Sequence, residues 1–265
     1  MKKAIFFDVD GTLIDCMNGM KDMSISVKQA IRKVQENGDY AFISTGRPYA
    51  LLDEKILNFG FDGFILANGA HVIINNETIH SEPIEKEFIK DIVNELENNN
   101  IEYVLQSELY SYMKESCKEF YDYYDKIGIS RTYFKDTFNV EEIDVHKLEM
   151  LCPSEEIKEL CLNLIKTNPE CDYFSSINKS AIEVYLKKNT KGTAILKAIE
   201  YLDVKIENTY AFGDGKNDIE MLSTVGCGIA MGNASDEVKK YSNKITDTVQ
   251  NDGVSKGIEE YIYIN

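Results

Sequence analysis

Reactive side chains follow short apolar runs at several points in this 265-residue chain. Apolar runs bounded by turn residues are typical of strands buried in a parallel sheet. Ligands bind at the carboxyl ends of such strands, so we expect the side chains that follow the runs to meet in one site. Four segments contain them: Asp8-Val9-Asp10-Gly11-Thr12, Thr45-Gly46-Arg47-Pro48, Asn68-Gly69 and Gly213-Asp214-Gly215-Lys216-Asn217-Asp218.

The chemistry that suits these residues is phosphoryl transfer through an aspartyl phosphate. Asp8 is the candidate nucleophile, because a carboxylate can divide one difficult displacement into two easier steps. Asp10 is the candidate general acid and base, since residues two apart in an extended chain point the same way. Asp8 and Asp214 are candidate ligands for Mg²⁺, which would relieve the repulsion between a carboxylate and a phosphate.

A transferring phosphoryl group also needs cationic and N–H donors around it. Thr45 and the Gly46 N–H can provide some, and Lys191 can add its ammonium close to a helix N-terminus. Each feature alone has an ordinary explanation as an acidic loop, a helix cap, a tight turn or a surface lysine. Their occurrence together, at successive strand ends, favours a catalytic site.

The elements that must position these residues alternate along the chain. Apolar runs at residues 4–7, 40–44 and 64–67 predict strands, and the pattern over 26–37 predicts a helix between the first two. Pro48 is suited to the first turn of a helix that would extend to about residue 59. The same alternation returns after residue 187, and it predicts an α/β fold with a Rossmann-like parallel-sheet core.

The pattern changes near residue 81, where Glu82-Pro83 is typical of a linker. Between there and residue 186, charged helices and turn-separated strands predict an α+β unit of ordinary domain size. Insertion of a folded unit at a surface connection costs little when its ends lie close together. We therefore predict a core formed by residues 1–81 and 187–265, with residues 82–186 inserted as a second domain.

Composition narrows the classes of partner. The formal net charge of −16 argues against general affinity for nucleic acid or anionic membranes. Six cysteines, without Cys-x-x-Cys or zinc spacing, are expected to be reduced thiols. No apolar run is long enough for a signal peptide or a membrane span, so the sequence predicts a soluble, cytoplasmic protein.

The motifs resemble those of the haloacid dehalogenase-like hydrolase superfamily, within it the Cof-type phosphatases with a type IIB cap. The resemblance includes Thr45-Gly46-Arg47-Pro48, Lys191-Gly192, Asn68-Gly69-Ala70 and Met231-Gly232-Asn233-Ala234, and it covers the predicted core. It implies that residues 82–186 form a cap that selects the substrate. It also implies further roles: Val9 and Gly46 N–H groups and Asn217 on the phosphoryl group, and the Asp10 carbonyl and Asp218 at the metal.

The sequence therefore predicts a Mg²⁺-dependent phosphatase acting on a small phosphorylated metabolite, such as a sugar phosphate. A phosphotransferase or phosphomutase with the same intermediate, and a non-catalytic module that binds phosphorylated ligands, are the alternatives. We expect a monomer or a weak homodimer. Arg131, His80, His146 and the tyrosines of the inserted domain receive no role.

Overall fold

The structure is a computed structural model that describes residues 2–176 and 180–263. Residues 1 and 264–265, at the ends of the predicted core, and residues 177–179 of the predicted cap lie outside the described residues. The strands are β1 (Ala4–Phe7), β2 (Tyr40–Ser44), β3 (Gly63–Leu66), β4 (His71–Ile74), β5 (Glu77–Ser81), β6 (Tyr103–Gln106), β7 (Ser111–Tyr112), β8 (Phe134–Lys135), β9 (Lys147–Leu151), β10 (Cys171–Ser176), β11 (Ala181–Leu186), β12 (Thr209–Gly213), β13 (Cys227–Ala230) and β14 (Lys244–Ile245). The helices are α1 (Ile25–Glu36), α2 (Glu54–Leu57), α3 (Lys86–Asn98), α4 (Lys118–Ile127), α5 (Glu155–Ile165), α6 (Lys191–Tyr201), α7 (Ile219–Thr224), α8 (Asp236–Lys239) and α9 (Gly253–Gly257), the last continuing as a π-helix over Ile258–Ile262.

The first sheet has the strand order β14-β13-β12-β1-β2-β3-β4-β5. Its strands from β14 to β3 run parallel, and β4 pairs antiparallel with β3. This parallel-rich arrangement confirms the predicted α/β fold class. The four strands β12, β1, β2 and β3 are neighbours, so the segments that follow them emerge at one edge of the sheet.

Apolar residues on both faces of β1 explain its central place in this sheet. All four of its residues are buried. On one face Phe6 packs against Phe42, with ring centroids 5.2 Å apart, and on the other Phe7 stacks on Phe212 at 5.4 Å. Burial of this kind contributes roughly 25 cal/mol per Å² of apolar surface, and it fixes the strand that ends immediately before Asp8.

The second sheet has the order β10-β11-β9-β6-β7-β8 and is antiparallel except between β7 and β8. One face packs with buried residues of α3 and α5 in a single apolar cluster. A separate cluster contains Val104 of β6 together with Phe120 and Tyr124 of α4. This part of the chain is α+β, as the sequence predicts for an inserted cap.

The chain divides into two compact units. The core unit comprises described residues within 1–46, 55–80 and 190–265, and the cap unit comprises those within 47–54 and 81–189. The short segment 47–54 belongs to the cap unit because Leu51 is buried in the apolar cluster that contains Phe120 and Tyr124.

The continuous helix predicted from Pro48 to about residue 59 is wrong. A 3₁₀ turn over Tyr49–Leu51 ends at Leu52, which has an extended backbone with ψ of 138°, and α2 begins afterwards. Burial of Leu51 in the cap unit overrides the local helix signal of Pro48. In the part of the chain that the structure describes, each helix is too short or too polar to cross a membrane.

Candidate active site

Polar residues lie just beyond the carboxyl ends of four neighbouring strands in the core unit. In the spatial order β12, β1, β2 and β3, the residues that follow are Asp214, Asp8, Thr45 and, after one intervening residue, Asn68. Parallel neighbouring strands end at the same edge, so segments distant in sequence come together there. The site is therefore built from four loops.

Lys191 is fully buried and joins two carboxylates of the site. Its Nζ lies 2.6 Å from Asp8 Oδ1 and 2.6 Å from Asp218 Oδ1. Lys191 is the first residue of α6, where the Thr190 side chain accepts the Thr193 N–H and caps the helix. A buried ammonium is tolerated when it is paired and hydrogen-bonded, so these three residues hold one another in the interior.

A tight turn after Asp8 requires glycine at position 11. Gly11 has a φ of 83°, in the left-handed region. A Cβ atom at this position would lie 2.2 Å from Asp214 Oδ2. Both the backbone conformation and the close approach of Asp214 therefore exclude a larger residue, which explains the glycine of the first motif.

Both oxygens of the Asp214 carboxylate are held by side chains. Thr12 Oγ1 donates to Oδ1 at 3.3 Å, and Asn233 Nδ2 lies 3.2 Å from Oδ2. The same Asn233 Nδ2 donates to the Gly11 carbonyl at 2.8 Å, and Asn233 Oδ1 accepts the Val249 N–H at 3.0 Å. Asn233 therefore ties the loop after β1, the loop after β12 and the C-terminal segment to one carboxylate.

Asp218 is buried and satisfied on both oxygens. Its Oδ2 accepts the N–H groups of Asp214 and Gly215 at 2.9 and 2.8 Å, while Oδ1 accepts Lys191 Nζ. Backbone donors and a cation together stabilise the ionised form of a buried carboxylate. Asp218 thus fixes the loop that presents Asp214.

The pKa values of Asp8 and Asp214 reflect burial first and the crowding of like charge second. Burial raises the pKa of Asp8 well above its usual range, and the nearby Asp218 adds to the rise while Lys191 opposes it. Burial and Asp218 also raise the pKa of Asp214 to about 6. Burial lowers the pKa of Lys191, but Asp218 and Asp8 outweigh it, so Lys191 remains charged.

Asp8, Asp214 and Asp218 form a set of carboxylates that fits a hard divalent cation. Each offers an oxygen within 4.8 Å of the others. Carboxylate oxygens are the donors that Mg²⁺, Ca²⁺ and Mn²⁺ prefer. Lys191 donates to Oδ1 of both Asp8 and Asp218, so its ammonium would share these carboxylates with the cation. We call Asp8, Lys191, Asp214 and Asp218 the active-site cluster.

The other predicted site residues lie at the ends of β2 and β12. Thr45 is buried, and its N–H donates to the Ile65 carbonyl at 2.8 Å. Gly46 follows it, and exposed Asn217 donates through Nδ2 to Asn68 Oδ1 at 3.1 Å. A Cβ on Gly46 would lie 3.4 Å from Asn217 Nδ2. Gly46 and Asn217 are therefore neighbours, although 171 positions separate them in the chain.

Val9 and Asp10 complete the residues proposed from the sequence. Val9 is fully buried, and its carbonyl accepts the N–H groups of Leu13 and Ile14, each at 3.0 Å. Asp10 is exposed, and its carboxylate is outside the set of metal-binding oxygens. Its charge nevertheless raises the pKa of Asp8 and of Asp214, which places Asp10 within electrostatic range of both.

Three residues of the site received no role from the sequence: Thr12, Asn68 and Asn233. All three lie in segments that the sequence singles out by motif. For Asn68 and Asn233 the signal available was the amide residue itself, because Asn in a loop after a strand can adopt the left-handed conformation or bond to the backbone. Their partners come from distant loops, so only the folded chain identifies what they hold.

The geometry and the motifs agree with a family profile described as haloacid dehalogenase-like hydrolase, which matches residues 5–258. The chain belongs to this family, and the resemblance inferred from the motifs is confirmed. The match includes every strand end that forms the active-site cluster.

Individual relatives span the same length. The putative phosphatase YkrA of Bacillus subtilis is 30% identical over 260 residues, covering 97% of this chain and 97% of that protein. The 5-amino-6-(5-phospho-D-ribitylamino)uracil phosphatase YcsE of the same organism is 29% identical, covering 98% and 96%. Among solved structures, BT4131, described as a sugar phosphatase of subclass IIB, superposes with a TM-score of 0.79 at 28% identity, covering 99% and 100%.

Proposed function

We propose that this protein is a Mg²⁺-dependent phosphatase that hydrolyses a small phosphorylated metabolite through an aspartyl phosphate on Asp8. The observation that carries the proposal is the pairing of Asp8 with the buried Lys191 at the end of the central strand, beside Asp214. Family membership and the phosphatase names of its relatives support the reaction class.

Asp8 is the proposed nucleophile. Lys191 Nζ donates to Asp8 Oδ1, so Oδ2 is the oxygen left to attack phosphorus. Burial and neighbouring acids raise the pKa of Asp8, and the ammonium of Lys191 opposes that rise. The ammonium of Lys191 therefore favours the ionised form of Asp8, which burial and the neighbouring acids disfavour.

Asp10 is the proposed general acid and base. In the first step a bond forms between Asp8 Oδ2 and phosphorus, the ester P–O bond breaks, and the Asp10 carboxyl gives its proton to the departing oxygen. In the second step Asp10 accepts a proton from water, the water oxygen bonds to phosphorus, and the Asp8–phosphorus bond breaks. An exposed carboxylate can exchange protons with solvent between turnovers, which suits Asp10.

The phosphoryl group is proposed to be held by donors from four loops: Val9 N–H, Thr45, Gly46 N–H, Lys191 and Asn217. These donors are neutral or cationic, and a phosphoryl group accepts hydrogen bonds without donating any when ionised. Thr45 is fixed by its own backbone bond to β3, and Lys191 by the carboxylates. Because these donors are already held in place, they lose little conformational freedom when the phosphoryl group binds.

Mg²⁺ is the proposed cofactor, held by Asp8, Asp214 and the Asp10 backbone carbonyl, with Asp218 ligating it or supporting its shell. When bound, it would offset the charge of the phosphate and of the attacking carboxylate. Hard oxygen donors within 4.8 Å of one another support this assignment.

The substrate is proposed to be a phosphorylated sugar or a related polyhydroxylated compound. YcsE is named for a phosphorylated ribitylaminouracil, and BT4131 is described as a sugar phosphatase. Both names join a phosphate monoester to a hydroxylated chain or ring. A screen of phosphorylated metabolites with Mg²⁺ present tests the proposal: we expect hydrolysis of sugar or polyol phosphates, and no turnover of any phosphate monoester would contradict it.

Residues 1–81 and 187–265 are proposed to form the catalytic core, and residues 82–186 the cap that selects the leaving group. In the cap unit Tyr133 lies 6.3 Å from Tyr110 and 5.3 Å from Tyr49 between ring centroids, and all three rings are partly exposed. Such rings can stack on a flat or sugar ring. Tyr133→Ala should change kcat/KM ratios among substrates more than it changes the rate with a small aryl phosphate.

We propose a cytoplasmic location and keep a monomer or weak homodimer as the predicted state. Support for the location comes from the cysteines. All six are free thiols, which is usual in a reducing compartment.

A further inference from the structure

Asn68 has an unusual backbone conformation beside the active-site cluster. Its φ and ψ are 55° and 31°, and the preceding Ala67 also has a positive φ of 49°. Two successive left-handed residues that are not glycine are unfavourable, by about 1 kcal/mol or more each. The Asn68 N–H donates to the Thr45 carbonyl at 3.0 Å, which ties this conformation to the loop after β2. Strain held in this way commonly marks a functional position.

The strained turn places the Asn68 amide against Asn217. Asn217 Nδ2 donates to Asn68 Oδ1 at 3.1 Å, and this bond lies directly over Gly46. A Cβ on Gly46 would approach Asn68 Oδ1 to 2.9 Å and Asn217 Nδ2 to 3.4 Å. The absence of a side chain at position 46 is therefore what permits the amide pair beside the Gly46 N–H.

The amide pair fixes which atom of the Asn217 side-chain amide faces the proposed phosphoryl-binding donors. A primary amide has a donating nitrogen and an accepting oxygen, and an ionised phosphoryl group only accepts. Asn217 Oδ1 lies on the other side, 2.5 Å from where a Cβ on Gly215 would be. Among described residues, Asn68 is the acceptor that Asn217 Nδ2 meets. One of its two N–H bonds is used there, and the second remains for a ligand.

We propose that Asn68 is a positioning residue that orients the Asn217 amide so that Nδ2 donates to the phosphoryl group. The inference deepens the proposed function and rests on it for the identity of the ligand. The side-chain oxygen Oδ1 of Asn68 orients the Asn217 amide by accepting its Nδ2–H. The left-handed turn at Ala67 and Asn68 holds that oxygen over Gly46.

The test is a double-mutant cycle on binding of inorganic phosphate, measured by titration calorimetry with Mg²⁺ present. Asn68→Gly removes the amide but keeps the left-handed backbone. Asn217→Ala removes the donor. Because a hydrogen bond to a charged group is lost in each case, we expect each variant to weaken phosphate binding about tenfold. The double variant should be no weaker than the stronger single one, because Asn68 acts through Asn217.

Two further variants serve as controls for this double-mutant cycle. Asn76→Gly, at a left-handed asparagine with φ of 66° in the turn between β4 and β5, controls for added backbone freedom and should bind phosphate as the wild type does. Asn68→Asp retains an accepting oxygen. Its added charge should weaken phosphate binding by the same factor whether residue 217 is asparagine or alanine, so this pair should be additive.

Two results would overturn the positioning role. One is a double variant, Asn68→Gly with Asn217→Ala, whose loss of phosphate affinity equals the product of the two single losses. The other is unchanged phosphate binding in Asn68→Gly. If Asn68→Gly does not fold, Asn68→Ala replaces it in the same cycle, because the neighbouring Ala67 already adopts a positive φ. Losses that do not multiply then support the role, and losses that multiply overturn it. The outcomes are separate from the proposed function. A wild type that binds phosphate with the expected coupling but hydrolyses no ester would contradict only the phosphatase assignment.

Discussion

Each unit of this protein buries a cluster of charged side chains, but the two clusters are built differently. The active-site cluster in the core unit has three carboxylates, in the segments that follow β1 and β12, and one lysine, at the start of α6. The second, which we call the cap cluster, consists of Gln106, Lys147, Glu149 and Glu183. These residues lie within β6, β9 and β11, where Lys147 forms an ion pair with Glu183 and Gln106 donates to Glu149.

The positions of the two clusters suggest different purposes. The cap cluster is in register on neighbouring strands, with Gln106 opposite Lys147 and Glu149 opposite Glu183. Its side chains meet through regular strand pairing. The active-site cluster is held by loops, and burial together with the charge of Asp218 raises the pKa values of Asp8 and Asp214. Carboxylates in excess of their cationic partners destabilise the fold, and a bound cation would offset that cost. The cap cluster is an internal part of the sheet.

The largest expected effect is on chemistry in the active-site cluster. Asp8→Asn keeps an oxygen for Lys191 but removes the proposed nucleophile, so kcat with an aryl phosphate should fall by about 10⁴-fold or more. Steady-state kinetics measures the loss, and circular dichroism should show an unchanged fold. Substantial turnover by the folded variant would mean that another group attacks phosphorus.

The next effect is on stability in the cap cluster. Lys147→Met leaves the largely buried carboxylate of Glu183, whose side chain is 15% exposed, without its cation, so the free energy of unfolding should fall by about 3 kcal/mol. Urea denaturation measures the change. The matched control is Lys86→Met, which breaks a half-exposed pair with Asp144 at 3.0 Å in the same unit and should change stability by about 0.5 kcal/mol or less. Equal effects of the two substitutions would remove the contrast between buried and exposed pairs.

A smaller effect of opposite sign is expected at Asp214. Its pKa rises from 3.8 to about 6 on folding, so the folded protein binds the proton more tightly than the unfolded chain. The cost of its ionised form is therefore absent at low pH, grows between about pH 4 and 6, and is complete above that range. Asp214→Asn should make the metal-free protein about 2 kcal/mol more stable at pH 7, with little gain at pH 4.

Addition of Mg²⁺ should change the stability of the wild type and of Asp214→Asn differently. Ligands that bind only the folded state stabilise it, so Mg²⁺ should raise the melting temperature of the wild type, and a chelator should reverse the rise. Asp214→Asn should show neither response and should lose turnover. A wild type whose melting temperature and activity ignore both Mg²⁺ and chelator would contradict the metal assignment.

The smallest effect is expected from the Thr12 hydroxyl, which donates to Asp214 over a long 3.3 Å. Thr12→Val keeps the buried shape and removes this bond, so Mg²⁺ affinity should fall by about threefold, in line with the modest net value of one hydrogen bond. Titration calorimetry measures it. A loss as large as that of Asp214→Asn would mean that Thr12 does more than orient one oxygen.

How far the sequence predicts each region follows from the same contrast. Asp8, Thr45 and Asp214 each come directly after an apolar run, and a parallel sheet gathers the ends of such runs. The motif roles of Asn217 and Asp218 came only from the family resemblance. Asn68 and Asn233 were named in motifs without roles, because their partners lie in loops far along the chain.

Burial in the cap unit is harder to predict from the sequence, for a physical reason. Lys147 and Glu149 alternate with Leu148 and Met150, a pattern that normally indicates a strand with one solvated face. The structure buries both faces, with Lys147 and Glu149 at 5% and 0% exposure. The local sequence pattern cannot distinguish a solvent-exposed lysine from Lys147, which pairs with Glu183 on a strand more than 30 positions later.

The central claim is that Asp8 carries the phosphoryl group, and trapping the intermediate tests it most directly. Asp10→Asn removes the proposed base that activates water, while an aryl phosphate has a leaving group that needs no proton, so the phosphorylated enzyme should accumulate. Mass spectrometry after rapid quenching should find one added phosphoryl group, mapped to Asp8, and none in the Asp8→Asn/Asp10→Asn double variant. A phosphoryl group on another residue, or turnover by Asp10→Asn in which no adduct ever forms, would contradict the account.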